Sequence, residues 1–322
     1  MTRRGLPATG AVALVVLLGA AACRAAAPIS SLGPEQVETI QEAERVIVSK
    51  LSPEESSLLI NAHGSVVEAC MQKRGWDFVV GTATPEVAGA GPSAMSNLEQ
   101  WTFADRKSAE STGYGLATHL AALAAFQKRL ALVESEARIP DIKLMPSEEA
   151  NRYQTDFFGT DEERIEIVER DGSRSSVSGG GCLGEAERAV YGDIGQAMRL
   201  RDSRTAAESD IWGATLSDEA VVAALDSWKT CVAKQGFEFE DPNQAFDSAS
   251  SAAQSGDHDQ ERRIATTDAA CKTESSLGLA VQGAYLSATN ANLAAFEDDL
   301  IALQQFEAEA LVRAKDILRF GE

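Results

Sequence analysis

The spacing of apolar residues predicts two helices that each carry a cysteine near the end and stop at a glycine. Apolar positions recur every three or four residues up to Cys70 and again up to Cys231, which is the period of one helix face. Gly75 and Gly236 follow where a glycine commonly ends a helix. The stripes consist of Leu59, Ala62, Val66 and Cys70, and of Val221, Ala224, Leu225, Trp228 and Cys231.

The residues before these stripes predict where the helices begin. Ser52 suits an N-cap, Pro53 the first helical position and Glu55 the third, which together are typical of a capped start. Ser217-Asp218-Glu219 predicts the start of the second helix, because acidic residues favour the first turn. A further helix is predicted from about Pro34 to Lys50.

The sequences around the two helix ends match, which predicts an internal duplication. Cys70-Met-Gln-Lys73-Arg-Gly75-Trp76-Asp77-Phe78 aligns with Cys231-Val-Ala-Lys234-Gln-Gly236-Phe237-Glu238-Phe239. More weakly, Cys182-Leu-Gly-Glu185 aligns with Cys271-Lys-Thr-Glu274. In both copies an aromatic residue, an acid and a phenylalanine follow the glycine. We expect these three residues to form a short extended stretch that packs over the end of the helix.

The copies differ in the segment between their cysteines, which holds 111 residues in the first and 39 in the second. In the second, Asp247 to Asp259 is rich in Ser, Ala and Gln and predicts a loop. In the first, an Ala/Leu-rich stretch predicts a helix from Leu116 to Ala137, followed by a loop with Pro140 and Pro146. Residues 164–168 and 173–177 alternate around Asp171-Gly172, which predicts a β-hairpin. A flexible glycine run, 178–181, then leads into a helix that starts at Cys182.

The last 60 or so residues have the strongest helical pattern. Leucines recur every seven residues from Leu279 to Leu300, with further apolar positions three residues on. This pattern favours a long helix packed inside a bundle, and a coiled coil with another chain is the alternative. Gly278 and Gly283 are predicted to bend or interrupt the helix. The seam consists of Leu279, Leu286, Leu293, Phe296, Leu300 and Leu303.

The N-terminus has the features of an export signal. Arg3 and Arg4 precede an apolar run that ends at Cys23, and three alanines precede the cysteine. Small residues before such a cysteine are typical of a bacterial lipoprotein signal, so Cys23 is the predicted lipidation site, carrying acyl chains such as palmitate. The same alanines also suit ordinary signal peptidase, which would release a secreted protein, and an uncleaved N-terminal anchor is the third alternative. We expect a signal peptide over 1–22, a tether over 23–33, a first unit over 34–205 and a second over 206–322.

The cysteine count supports lipidation and a disulfide framework. Of five cysteines, Cys23 would carry the lipid, which leaves an even number for disulfides in an oxidising compartment. Four cysteines allow three pairings. If each unit once folded alone, its bridge must lie inside it, which favours Cys70 with Cys182 and Cys231 with Cys271.

The charge of the chain disfavours two classes of partner. Lys and Arg number 29 against 49 Asp and Glu, so that removing Arg3 and Arg4 with the signal leaves 27 − 49 = −22. A strongly acidic protein is a poor ligand for nucleic acid or for anionic lipid headgroups. The simplest explanation of this charge is that it keeps the protein soluble. The alternative is that it attracts a cationic partner.

The sequence offers no clear catalytic or metal-binding motif. Cys182 at a helix start could be a nucleophile, but its matching partner Cys271 favours a disulfide. His63, His119 and His258 are isolated in sequence, and Asp257-His258-Asp259 has no second ligand cluster nearby. We therefore predict no catalytic residues, no metal and no cofactor. The tryptophans could stack on sugars, but Trp76 and Trp228 belong to the repeated helices and favour packing.

Several short motifs resemble one group of known proteins. They are the cysteine helix ending in Gly-aromatic, Tyr114-Gly115-Leu116, Gly-Gly-Cys182-Leu-Gly-Glu185-Ala and Asp268-Ala-Ala-Cys271. Together they are similar to uncharacterised secreted lipoproteins of actinobacteria, over most of the mature chain. That group has no assigned activity, so the resemblance implies export and disulfides and carries over no mechanism.

These observations predict a mainly α protein, a helical bundle of two disulfide-stapled, internally duplicated units with a small β-hairpin in an insertion. The expected function is that of a membrane-anchored lipoprotein that binds or scaffolds an envelope protein or a cell-wall component. The alternative is an envelope-directed hydrolase whose catalytic residues are unidentified. A solute receptor is a third and weaker alternative, because the sequence lacks the repeated βαβ pattern that such receptors need. The expected location is the extracytoplasmic face of the cell membrane, or outside the cell if the chain is simply secreted.

Overall fold

The computed structural model describes residues 51–88, 95–170 and 172–320. The predicted signal peptide, the tether with Cys23 and the helix from Pro34 to Lys50 lie outside these residues. Within them the chain forms twelve α-helices, one antiparallel hairpin and two short 3₁₀ turns, Ile142–Leu144 and Asp161–Glu163. The elements are α1 (Pro53–Lys73), α2 (Pro85–Ala88), α3 (Asn97–Thr102), α4 (Arg106–Thr112), α5 (Leu116–Glu136), α6 (Ser147–Phe158), β1 (Arg164–Val168), β2 (Arg174–Ser178), α7 (Gly181–Tyr191), α8 (Ile194–Leu216), α9 (Glu219–Lys234), α10 (Pro242–Gln254), α11 (His258–Ser275) and α12 (Leu277–Phe320).

The two cysteine helices, α1 and α9, begin through side-chain caps. The Ser52 hydroxyl accepts from the Glu55 backbone N–H, and the Glu55 carboxylate accepts from the Ser52 backbone N–H, so the predicted capping box is confirmed. At α9 the predicted start is confirmed, with Asp218 as the N-cap and Glu219 in the first turn, while Ser217 caps the end of α8. The Asp218 side chain accepts from the Ala220 and Val221 N–H groups and brings negative charge to the positive helix end.

The ends of α1 and α9 share one geometry. Gly75 and Gly236 follow them with φ of +90° and +85°, a region that favours glycine. In both cases the next residue folds back: Trp76 N–H donates to the Met71 carbonyl and Phe237 N–H to the Val232 carbonyl, each at 3.1 Å. Descent of the two helices from a duplicated unit stays a prediction.

The segment predicted as a loop from Asp247 to Asp259 is helical over most of its length, so that prediction was wrong. Asp241 accepts from the Gln244 N–H and Pro242 occupies the first helical position, which starts α10. Small apolar side chains then bury one face of α10 despite the Ser-rich composition. The buried residues of that helix are Pro242, Ala245, Phe246, Ala249 and Ala253.

Another helix, α6, lies in the region predicted as a loop with Pro140 and Pro146. Pro146 precedes α6, and Glu148 and Glu149 lie in its first turn, which suits the positive end of a helix. Tyr153 buries its ring from α6 and meets Trp76 edge-on, with ring centres 5.1 Å apart. The predicted helix from Leu116 to Ala137 is confirmed as α5, of which Leu116 is the buried residue.

Helix α12 is a continuous 44-residue helix, so the interruption predicted as one possibility at Gly278 and Gly283 is absent. Gly278 serves close packing instead: a Cβ there would lie 3.1 Å from the Thr102 carbonyl oxygen. The middle of α12 packs along α8, and its far end lies on α1 and α7, which confirms the bundle. Leu300 and Leu303 of the predicted seam are buried, as is Phe296, whereas Leu279, Leu286 and Leu293 are half-buried.

Buried side chains form two main clusters, one around each disulfide, and smaller clusters lie along α8 and α12. The first surrounds Cys70 and Cys182, and the second Cys231 and Cys271. Helix α8 runs without a break through position 205, the predicted boundary between the units. The division into two units stays a prediction.

The hairpin and the glycines after it form a close-packed junction. β1 and β2 pair antiparallel from Arg164 opposite Ser178 to Val168 opposite Arg174, which confirms the hairpin, with the second strand one residue later than predicted. The run 178–181 was predicted to be flexible, but its backbone is tightly enclosed. A Cβ on Gly184 would lie 2.4 Å from the Gly179 carbonyl carbon, and one on Gly181 would lie 2.4 Å from the Gly159 nitrogen. The glycines let three backbone segments meet beside Cys182.

Gly184→Ala is therefore expected to lower the free energy of unfolding by about 1–3 kcal/mol, because the added methyl meets backbone that has no side chain to move away. Chemical denaturation of the oxidised protein measures this change.

Gly213→Ala is the matched control, since Gly213 is exposed on α8 and a Cβ there meets nothing within 4 Å. That variant should be neutral or more stable by up to about 1 kcal/mol. Equal stability of both variants would contradict the close packing at Gly184.

Candidate functional site

The four framework cysteines form the two predicted disulfides. Cys70–Cys182 joins α1 to α7, and Cys231–Cys271 joins α9 to α11, each with 5.5 Å between Cα atoms. All four residues are buried. The interpretation of Cys182 as a disulfide cysteine rather than a nucleophile is thereby confirmed. Cys23 lies outside the described residues, so its lipidation stays a prediction.

Next to the second disulfide, one buried carboxylate collects three donors. The Trp228 indole N–H donates to Oδ1 of Asp268 at 3.0 Å, and the Tyr114 hydroxyl donates to Oδ2 at 2.8 Å. The Lys272 ammonium lies 2.6 Å from Oδ2 and also donates to the Gln100 carbonyl. We call Asp268, Lys272, Tyr114 and Trp228 the buried polar network. It ties α9, α11, the end of α3 and the start of α5 together.

Burial dominates the electrostatics of this network. It raises the pKa of the Asp268 carboxyl above its ordinary value, although the Lys272 charge and the hydrogen bonds from Lys272, Tyr114 and Trp228 act in the opposite direction. Burial likewise lowers the pKa of the Lys272 ammonium against the attraction of Asp268. The pKa of the Tyr114 phenol is raised well above its ordinary value, by burial first and by the Asp268 charge second. Each charge thus depends on its partner for its place in the core.

A second buried acid, Glu261, caps a helix from outside. Gly115 precedes α5 with φ of +76° and offers no side chain, and the Glu261 Oε1 accepts from the Leu116 N–H at 3.1 Å. His258 Nδ1 lies 3.6 Å from the other oxygen. A Cβ on Gly113 would come within 2.7 Å of Oε1, so glycine leaves room for the carboxylate. Glu261 supplies the negative charge that the start of α5 lacks.

The buried polar network can hold helices together, but it is closed to a solute. Its four residues are between 0% and 7% exposed. Sequence reasoning noted Tyr114 and Asp268 only as parts of motifs, and did not connect them. The four-residue spacing of Asp268 and Lys272 on one helix was the available signal. Tyr114 and Trp228 could not be assigned to the buried polar network from sequence, because their contacts with Asp268 depend on the tertiary fold.

The described surface carries several open grooves, and one of them has a volume of about 590 Å³. It lies beside the end of α9, lined by Phe237 and by α11 residues that include Arg262 and Thr266, and Asp259 pairs with Arg262. Its charges are therefore partly compensated.

A smaller groove of about 210 Å³ lies between the hairpin and α8. It contains two carboxylates, both of which are engaged. Asp299 accepts from the Ser203 hydroxyl at 2.7 Å, and Asp202 accepts from the Arg170 backbone N–H at 3.2 Å. Arg170 also stacks on the Phe296 ring at 4.0 Å from its centre. The Arg170 contacts hold the hairpin on the bundle, and the Ser203–Asp299 bond joins α8 to α12.

The three histidines that the sequence offered as candidates lie on separate helices, α1, α5 and α11, whereas Trp101 and Trp212 meet edge-on with ring centres 5.9 Å apart. His63 Nε2 is 3.4 Å from a Glu187 oxygen, and His119 lies half-buried on α5. Across 51–88, 95–170 and 172–320, no three His, Cys, Asp or Glu residues are grouped so as to hold a metal. The rings of Trp76, Trp101 and Trp228 are packed in the core, as expected for two of them.

None of the helices in this part of the chain is long and apolar enough to cross a membrane. No protein-family model, curated protein or solved structure matches the chain. The likeness to secreted lipoproteins of actinobacteria stays a prediction from short motifs.

Proposed function

We propose that the protein is an exported lipoprotein, anchored through Cys23, whose helical body binds or scaffolds a component of the cell envelope. The observation that carries export is the pair of buried disulfides. Such bridges persist in oxidising compartments and are rare in the cytosol, where thiols are kept reduced. The apolar run that ends at Cys23 supplies the matching signal.

A binding role, rather than catalysis, is supported by where the polar groups lie. The strongest cluster of charged and hydrogen-bonding side chains, around Asp268, is closed off in the core and serves the fold. The groove carboxylates Asp202 and Asp299 are held by neighbouring donors. The partner we expect is another envelope protein or a cell-wall component, and the mature charge of −22, from 27 − 49, favours one with basic groups.

Cys23→Ser is expected to move the protein from the membrane fraction to the soluble fraction or the medium, because a serine cannot carry the thioether-linked lipid. Fractionation and immunoblotting of cells that express either chain measure the shift.

An Ala22→Gly chain is the control, since it keeps a small residue before Cys23 and should stay in the membrane fraction. Retention of Cys23→Ser in the membrane would contradict the lipid anchor.

Crosslinking in intact envelopes tests the binding half of the proposal. We expect a crosslinked adduct that is heavier than the chain itself. Formation of this adduct should require the folded helical body. Recovery of the wild type purely as a monomer would argue against a binding or scaffolding role.

A further inference from the structure

The aromatic residue that follows the end of α1 is sealed by a neighbouring helix. Trp76 is 6% exposed, and α6 lies over it. Tyr153 meets its ring edge-on, the Arg152 guanidinium lies 4.3 Å from the ring centre, and Asp156 accepts from the indole N–H at 2.9 Å. This helix end is therefore closed by packing within the chain.

Phe237 holds the equivalent place after α9 and is only half-buried. Its backbone N–H donates to Val232 just as the Trp76 N–H donates to Met71. The Phe237 ring stacks on Phe239, with ring centres 5.4 Å apart and planes 16° apart. Phe237 also lines the open groove of about 590 Å³ beside α9 and α11. The aromatic position that α6 closes at the first helix end thus borders open space at the second.

The groove around Phe237 is lined largely by polar residues. Gln235 at the end of α9 is exposed, and Thr266 and Thr267 of α11 are half-buried. The side chains of these three residues make no hydrogen bond to any residue that the structure describes. They offer two hydroxyls and one carboxamide, each of which both donates and accepts. An apolar surface laid over them would leave these groups without partners, which costs free energy.

The charges that line the groove balance one another. The charged residues are Glu110, Asp259, Arg262 and Arg263. Asp259 pairs with Arg262, and Glu110 pairs with Arg106 at 2.8 Å. Two acids and two bases give no net attraction for a strongly charged ligand, so the groove favours an uncharged one.

We propose that this groove binds an uncharged glycan, with a sugar ring packed on Phe237 and sugar hydroxyls bonded to Gln235, Thr266 and Thr267. The C–H face of a sugar ring is apolar and suits an aromatic side chain. Sugar hydroxyls both donate and accept, as the threonines and the glutamine do. The volume of 590 Å³ lies within the range of about 300–1,000 Å³ for ligand sites. Because the groove is open, a sugar chain can continue beyond it.

This inference rests on the proposed function, since it selects a cell-wall component among the expected partners and gives its chemical class. The ring that receives the sugar is held in place before binding. Phe237 packs on the core cluster around the Cys231–Cys271 disulfide as well as on Phe239. A site that is already ordered loses less conformational entropy when a ligand binds.

Calorimetric titration of the mature, oxidised protein with two uncharged tetrasaccharides, of N-acetylglucosamine and of glucose, tests the proposal. We expect at least one of them to bind. Thr266→Val combined with Thr267→Val keeps the side-chain shapes and removes both hydroxyls, which should weaken binding at least about fivefold. Thr155→Val is the control, since Thr155 is exposed on α6 outside the groove, and it should leave the affinity unchanged.

Phe237→Leu tests the contact with the ring. The leucine keeps an apolar side chain but removes the flat aromatic face, so binding should weaken at least about fivefold. Phe158→Leu is the matched control, because Phe158 is 49% exposed on α6. An unchanged urea midpoint shows that each variant is folded.

Failure of both tetrasaccharides to bind the wild type would overturn the proposal, as would an unchanged affinity in the threonine double variant. A protein adduct in envelopes that the groove variants abolish would assign the groove to a protein partner, and would leave the proposed function intact. Glycan binding by a protein that stays in the membrane fraction as Cys23→Ser would support the groove while contradicting the lipid anchor.

Discussion

Lys272→Met is expected to lower the free energy of unfolding by about 3–5 kcal/mol, because it leaves the Asp268 carboxylate buried without its counter-charge. Asp268 is 1% exposed, so water cannot take the place of the ammonium group. The Gln100 carbonyl also loses its donor. Urea denaturation at pH 7, followed by tryptophan fluorescence, measures the change.

Two further variants separate the loss of the pair from the loss of a lysine. Lys315→Met removes an exposed lysine of α12 and should change stability by no more than about 0.5 kcal/mol. Asp268→Asn combined with Lys272→Met removes both charges and should be more stable than Lys272→Met alone. Asp268→Asn alone completes the cycle, and if the double variant loses the sum of the Asp268→Asn and Lys272→Met losses, the pair is not coupled as the structure indicates.

The second large loss of stability is expected from removal of the Cys70–Cys182 disulfide. Cys70→Ala with Cys182→Ala opens a bridge across a sequence separation of 112, and Cys231→Ala with Cys271→Ala one across 40. Loop-closure entropy alone predicts losses of about 4.8 and about 3.9 kcal/mol. Losses of this size approach the net stability of a whole domain, so each bridge is expected to supply a large fraction of the free energy of unfolding.

Denaturation of both double variants without reductant measures the two losses. The larger loss should belong to Cys70–Cys182, because its loop is longer. A loss below about 1 kcal/mol for either bridge would show that the disulfide contributes little to the fold. A reversed order would show that local packing outweighs loop length.

Much of the fold could be predicted because its signals are local. The start of α1 follows from Ser52 and Pro53, and its end from Gly75, since caps act within one helical turn. The hairpin follows from alternation around a turn sequence. The pairing of Cys70 with Cys182 followed from the matching motifs, which depend on sequence alone.

The wrong predictions arose where amino-acid composition was given more weight than the periodic spacing of apolar residues. Ser and Gln suggested a loop over α10, but Ala245, Phe246 and Ala249 have helical spacing, and alanine favours a helix strongly. Glycines suggested flexibility before Cys182, whereas Gly181 and Gly184 are required by the approach of other backbone segments. Such approaches involve residues that the local sequence does not identify.

The buried polar network could be predicted least. Tyr114 and Asp268 are 154 residues apart in sequence, and their hydrogen bond depends on how α11 packs beside the start of α5. Lys272 could be paired with Asp268 from helical spacing, but its burial could not be foreseen. Both Asp and Lys are rarely found fully buried in a protein core.

The mass of the mature protein, purified from membranes without reductant, tests the central claim most directly. The account predicts a chain that begins at Cys23, carries a thioether-linked lipid with acyl chains, and is about four mass units lighter than the reduced form, since two disulfides remove four hydrogens. A chain that begins elsewhere with an unmodified N-terminus, or one that has free thiols at Cys70, Cys182, Cys231 and Cys271, would contradict it.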